Sequence, residues 1–224
     1  MNELLYFLSV ILVFTAVALI ARFFGKKGMY AWIAIATILA NIALAKQVRM
    51  FGLDVTLGNV LFSSVYLATD IMTEAYSTKE ARKAVYAGLI AALAFVGTGV
   101  IVNLMQPNQL DFASDALHTL LSFSVRATSA SILFFFLSNM ADVWLFDRFR
   151  KHSTKNLWLR NNVSTILCNC VENFLFIFAA FYGVMSAKDC FMIAVTSSVV
   201  ETITGLLDTP FVYLGRKIAA KETV

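Results

Sequence analysis

Apolar residues run along this chain in seven stretches: Leu4 to Ala21, Tyr30 to Ala45, Gly58 to Tyr76, Ala84 to Met105, Ala127 to Phe146, Val163 to Tyr182 and Phe191 to Leu214. Short polar segments part them. Most approach the roughly 20 residues that carry a helix across hydrocarbon, where a helix satisfies its own backbone polar groups. The pattern predicts an all-α polytopic integral membrane bundle with about seven transmembrane segments, formed by residues 1–224 as one domain. The second stretch is short, so six crossings plus a re-entrant or short helix is the alternative. The first begins Met1-Asn2-Glu3, acidic where a cleaved signal peptide is basic, and is read as a helix of the mature protein.

Composition agrees with this reading, since 59% hydrophobic and 14% charged residues leave too little polar surface to cover a soluble core. Charge placement adds sidedness. If seven helices alternate, one side holds the clusters Arg22 to Lys27, Lys79 to Lys83, Arg148 to Arg160 and Arg216 to Lys221, 14 of the 18 Lys and Arg residues. Cytoplasmic ends retain such cations, which predicts an outside N-terminus and a cytoplasmic C-terminus. The net charge of +4 is then a property of topology, and no nucleic-acid partner is expected. Cys168, Cys170 and Cys190 read as small hydrophobes, and His118 and His152 lie in or near loops. No metal site or cofactor follows from them. The loop from Gln106 to Val125 contains "DALHTLLSFSV", whose Leu and Phe spacing suggests a short interfacial helix.

Six acids fall inside the apolar stretches: Asp70, Glu74, Asp142, Glu172, Glu201 and Asp208. A central Asp costs about 2.5 to 3.5 kcal/mol on insertion scales, while a Leu or Phe returns only about 0.3 to 0.6. Spacing groups them. Asp70, Thr73 and Glu74 share one helix face; Ser138, Asn139 and Asp142 a second; Asn169, Glu172 and Asn173 a third; Ser197, Glu201, Thr204 and Asp208 a fourth. Isolated Asn or Ser residues commonly act as interhelical glue, but acids on four helices point to a shared polar cavity on a substrate or proton path. Asp70, Asp142, Glu172 and Asp208 are expected roughly 7 to 14 Å from the inner end of their helices, Glu201 deeper. Glu74 and Asp208 are near enough to helix ends to snorkel. The segments "SNMADVWLF" and "CNCVENFLF" echo one another, as internal repeats of transporters do. Carboxylates and carboxamides among Phe and Trp suit a flat, donor-rich ring such as a guanine-like heterocycle, and less specifically an organic cation or a metal ion.

The elements "LATDIMTEAYSTKEARKA" (67 to 84), Arg126 followed by "SNMADVWLF", "WLRNNVST" (158 to 165) and "DTPFVY" (208 to 213) resemble the queuosine-precursor transporter family, also called the vitamin-uptake-like transporter family. The resemblance implies an inner-membrane importer of 7-deazaguanine bases for tRNA modification salvage: 7-cyano-7-deazaguanine, 7-aminomethyl-7-deazaguanine or queuine. Carried over by residue, it marks Asp70, Glu74 and Tyr76, Arg126 and Asp142, and Arg160, Asn161, Ser164 and Thr165. Asn139, Asn169, Glu172, Asn173 and Glu201 complete the candidate binding set from periodicity. Two departures bear on substrate choice. Where the family shows Ser-Gln-x-x-Asp-Thr this chain has Cys168, Asn169, Glu172 and Asn173, a reshaped pocket that points toward the bulkier queuine, and Ser77 replaces the usual Gly. Asn161 and Asn162 are expected to cap the sixth helix; Arg126 is read equally as snorkelling at the outer mouth of its helix or as pairing with an inward acid, while topology alone accounts for Arg160.

No phosphate-binding Gly-x-x-x-x-Gly-Lys-Ser/Thr loop occurs, so the chain does not use ATP itself and no ATPase partner is expected on this reading. The alternative is a substrate-binding membrane subunit of an energy-coupling-factor system, which would need partner ATPases. An intramembrane enzyme is disfavoured because no His-Glu-x-x-His or Gly-x-Ser-x-Gly motif is present. Expected partners are the small-molecule base and membrane lipid, with a homo-oligomer left open.

Overall fold

A computed structural model describes residues 1–50, 52–152, 157–182 and 186–222. The elements are α1 (Asn2–Ala43), β1 (Gln47–Met50), β2 (Leu53–Thr56), α2 (Gly58–Ala75), α3 (Thr78–Leu104), α4 (Ser114–His152), α5 (Leu157–Phe181) and α6 (Ala187–Glu222). Gly25, at φ 54° and ψ −146°, bends α1 into two rods. Seven helical rods therefore correspond to the seven apolar stretches. Five helices are long and apolar enough to cross a membrane, with α1 counted as one.

The bundle is all-helical as expected, with one addition, the antiparallel hairpin of β1 and β2, in which Val48 pairs with Val55 and Met50 with Leu53. Gly52, just before β2, takes the positive φ, 78°, that a tight hairpin turn favours. The interfacial helix expected from "DALHTLLSFSV" is also not separate: it is the first part of α4, whose 39 residues span about 58 Å. The apolar portion, Ser129–Arg150, is only its second half.

α2 is not among the five apolar helices, and packing explains how its polarity is tolerated. Fourteen of its 18 residues are buried, and α1, α3, α4 and α6 all pack against it. It is the axis of the bundle. Leu67, Ile71 and Met72 join Met29, Ile33, Phe146 and Val212 in one core, while Phe14 of α1 meets Phe211 of α6 edge-on at 5.5 Å. Hydrophobic burial and dispersion in a close-packed interior hold these contacts.

Direct contacts sort the helix ends. At one end Asn2 Nδ2 donates to the Arg49 carbonyl at 3.1 Å, joining the N-terminus to the hairpin. At the other, Glu80 takes Lys26 at 2.9 Å, Lys83 at 2.8 Å and the Tyr30 hydroxyl at 2.9 Å. Arg150 Nη1 donates to the Thr73 carbonyl at 2.6 Å, a cation on the carbonyl end of α2 where the helix dipole favours it. Three of the four basic clusters thus meet at one end of the bundle.

Ser77 begins α3. Its hydroxyl accepts from the Glu80 N–H at 3.2 Å, the Ser-x-x-Glu spacing of a capping box. Ser77→Ala is expected to lower stability by about 1 kcal/mol, read as a lower thermal midpoint in detergent; an unchanged midpoint would show the cap to be redundant. In the α3–α4 connection, Asp111 accepts from the Ser114 hydroxyl and from the Ala113 and Ser114 N–H groups. These bonds hold its carboxyl below the usual carboxylate range.

Candidate functional site

Four helices turn polar stripes toward one another. α2 supplies Tyr66, Thr69, Asp70 and Thr73; α4 supplies Ser138 and Asp142; α5 supplies Ser164, Thr165, Asn169, Glu172 and Asn173; α6 supplies Glu201, Thr204 and Asp208. α5 runs antiparallel to α2 and α4, so the contacts form layers. In the layer nearest the Glu80 end, the Thr165 hydroxyl lies 3.4 Å from Asp70 Oδ2 and 3.3 Å from Asp142 Oδ1. Asp208 of α6 faces the same group from within electrostatic reach. Asp70 and Asp142 are fully buried and Asp208 is 1% exposed. Asp208 therefore does not snorkel, because α6 continues well past it to Glu222.

One helical turn deeper, the Tyr66 hydroxyl bridges Ser138 Oγ at 2.7 Å and Glu172 Oε2 at 2.6 Å. Beyond it, Asn173 Nδ2 donates to Glu201 Oε2 at 2.8 Å, and Tyr6 of α1 closes this side beside Thr204 and Glu201. Glu172 thus sits deeper than the sequence suggested. α5 begins at Leu157 rather than near Val163, which adds about 9 Å to the distance between Glu172 and the helix end. Ser138 of "SNMADVWLF" and Glu172 of "CNCVENFLF" meet at the Tyr66 hydroxyl from helices that run in opposite directions.

Several buried acceptors have no donor within the protein: Asp70 Oδ1, Asp142 Oδ2 and Asn169 Oδ1 in this cluster, with Asn139 Oδ1 beside it. No group of three or more His, Cys, Asp or Glu residues among the described residues could hold a metal ion. An orphaned buried acceptor is costly, by about 1 to 3 kcal/mol. Orphaned acceptors on three helices invite a ligand rich in N–H donors.

Other expected residues are placed differently. Asn139 is turned about 100° from Ser138 around α4; its Nδ2 donates to the Phe135 carbonyl at 2.9 Å. It lines a separate, mostly apolar cavity between α1, α2, α3 and α4, with Thr37, Asn41, Phe62, Ser131 and Phe135 among its walls. That cavity, about 20 Å³, has room for a water molecule but not for a bicyclic base. Glu74 is half-buried one turn beyond Asp70, and Tyr76 ends α2 against the core. The side chains of Arg126, Arg160 and Asn161 lie outside the described residues. Asn162 is not a cap: it is 4% exposed inside α5, and its Nδ2 donates to Thr209 Oγ1 of α6 at 2.8 Å. Tyr66 and Tyr6 were missed, although Tyr66 stands four residues before Asp70 and so on its face.

Residues 56–215 match the family described as "Putative vitamin uptake transporter". A Bacillus subtilis (strain 168) protein named "Probable queuosine precursor transporter" is 34% identical over 99% of this chain and 97% of its own length. The "Queuosine precursor transporter" of Escherichia coli (strain K12) is 28% identical over 68% of this chain and 66% of its own. No solved structure matches. With the family match covering the helices that build the polar cluster, and one relative similar from end to end, this multi-pass membrane chain belongs to the vitamin-uptake and queuosine-precursor transporter family and is a transporter, not an enzyme.

Proposed function

We propose that this protein imports queuosine precursors, 7-deazaguanine bases, across the inner membrane for salvage into tRNA modification. The observation that carries the reading is the pair of buried acids, Asp70 and Asp142, which meet at the Thr165 hydroxyl while Asp70 Oδ1 and Asp142 Oδ2 are left without a donor. A deazaguanine presents adjacent ring N–H and exocyclic amino donors, the complement of a carboxylate's two oxygens. The relatives' names point to the same class, and neither favours the energy-coupling-factor alternative.

In this reading the seven rods cross the bilayer, the N-terminus lies outside, and the end bearing Glu80 and Arg150 faces the cytoplasm. α2, α4, α5 and α6 rock about the polar cluster, exposing it to each side in turn. Coupling comes either from trapping of the base by cytoplasmic enzymes or from protons moved by one of the carboxylates; collapse of accumulation by a protonophore distinguishes the second. The test of the function is uptake of labelled deazapurine bases by cells that lack both their own transporter and de novo synthesis. Expression of the chain should restore queuosine in tRNA from external base. Absence of uptake, with the protein present in the membrane, would remove the assignment.

A further inference from the structure

Between the layer of Asp70 and Asp142 and the deeper layer of Glu172 and Glu201 runs a line of acceptors along α5: Thr165, Asn169, Glu172 and Asn173. Thr165 and Asn173 are separated by about 12 Å along the axis. Glu172 and Glu201 are within electrostatic reach of one another, and each has one oxygen engaged by a neutral donor, Tyr66 and Asn173 respectively. The other groups facing them are Ser138, Cys168, Tyr6 and Thr204, none of which is a cation. Among the described residues no Lys, Arg or His forms an ion pair with Asp70, Asp142, Glu172 or Glu201; the ion pairs lie at the helix ends. Asn169 Oδ1, in a side chain 4% exposed and midway along the line, is without a donor.

We propose that Glu172 and Glu201, with Asn169, form a subsite for a protonated amine on the side arm of the base, so that the transporter selects bases with an alkylammonium arm over those with a neutral one. This rests on the deazapurine reading above and deepens it. The Asp pair takes the neutral donor edge of the ring, and the Glu pair takes the charge at the far end of the molecule. An ammonium offers three donors and no acceptor, which matches two carboxylates and an amide oxygen. It also supplies the counter-charge that carboxylates in a low-dielectric interior require. A nitrile arm offers an acceptor to acceptors.

The test is uptake of 7-aminomethyl- and 7-cyano-7-deazaguanine by cells expressing the full chain, each base measured as apparent KM. The wild type should favour the aminomethyl base by about tenfold or more. Glu172→Gln and Glu201→Gln should each weaken uptake of the aminomethyl base about tenfold more than that of the cyano base. Equal or better handling of the cyano base by the wild type would overturn the proposal, as would equal weakening of both bases in the variants. The wild-type ratio decides even where a variant does not reach the membrane. Uptake of neither base would remove the deazapurine reading itself; uptake of both without discrimination would remove only the ammonium subsite.

Discussion

Asp142→Asn is expected to reduce uptake of deazapurine bases by roughly 100-fold or more while leaving the amount of protein in the membrane unchanged. The substitution keeps the shape of the side chain and replaces one acceptor oxygen with a donor NH2. In the layer nearest the Glu80 end, Asp142 Oδ1 is 3.3 Å from the Thr165 hydroxyl and Oδ2 accepts no hydrogen bond within the protein. A ligand N–H that was to bond Oδ2 would instead confront an N–H, and a site built to pair with buried polar groups discriminates strongly against such a mismatch. Stability should move the other way. Two acids sharing one hydroxyl in a buried site repel one another, so an amide in place of one of them should leave the thermal midpoint unchanged or raise it. Opposite signs for transport and stability are what a binding residue gives. If Asp142→Asn lowered the thermal midpoint and uptake together, Asp142 would be a structural fastener between α4 and α5, and the binding role would pass to other residues. Asp70→Asn should repeat the pattern, because Asp70 meets the same hydroxyl from α2 at 3.4 Å.

The stripes of this site are readable from the sequence because helical periodicity acts within one helix at a time. Asp70 with Thr73, and Glu201 with Thr204 and Asp208, need only a 3.6-residue repeat to be recognised. Periodicity does not say at what height one helix meets another. That height depends on where each helix begins, and α5 begins in the polar stretch at Leu157. Hydropathy sees the part of a helix that contacts lipid, so it missed both the early start of α5 and the long first part of α4. Asn139 shows the same limit around the helix axis. Periodicity groups it with Asp142, but only the packing of α3 and α1 on that side of α4 decides that it faces another cavity. Tyr66 was hidden for a chemical reason, since a tyrosine within an apolar run reads as core until a buried acid is found opposite it.

The hairpin was legible in principle. In "QVRMFGLDVT", apolar Val48, Met50, Leu53 and Val55 alternate with polar residues about a Phe-Gly pair, a strand-turn-strand signal. It stayed hidden because its ten residues lie between two much stronger helical patterns. The kink in α1 is similar. Lys26 and Lys27 suggested a loop between two helices, yet both are held within a continuous backbone that turns at Gly25.

That turn carries the second large effect. Gly28→Ala is expected to destabilise the bundle by about 1 to 3 kcal/mol, with a sharp loss of monodisperse protein in detergent and of uptake. The bend at Gly25 folds the chain back so closely that a Cβ on Gly28 would overlap the Cβ of Phe24 and come within 2.8 Å of Ile20 Cγ2. A Cβ atom cannot move without its backbone, so the contact is relieved only by opening the bend. Opening it shifts the second rod of α1, whose Met29, Ile33 and Ala36 are fully buried in the core shared with α2. It also draws Lys26 and Tyr30 away from Glu80; the ion pair is half-exposed and contributes little, so the packing dominates. Gly97→Ala in α3 is the control, because a Cβ there meets nothing within 4 Å and a helical Gly-to-Ala change is favourable by about 1 kcal/mol. The two variants add the same methyl group to the same kind of residue. A divergence between them in thermal midpoint attributes the effect to the bend, whereas identical behaviour would mean that the second rod of α1 is not held at this angle.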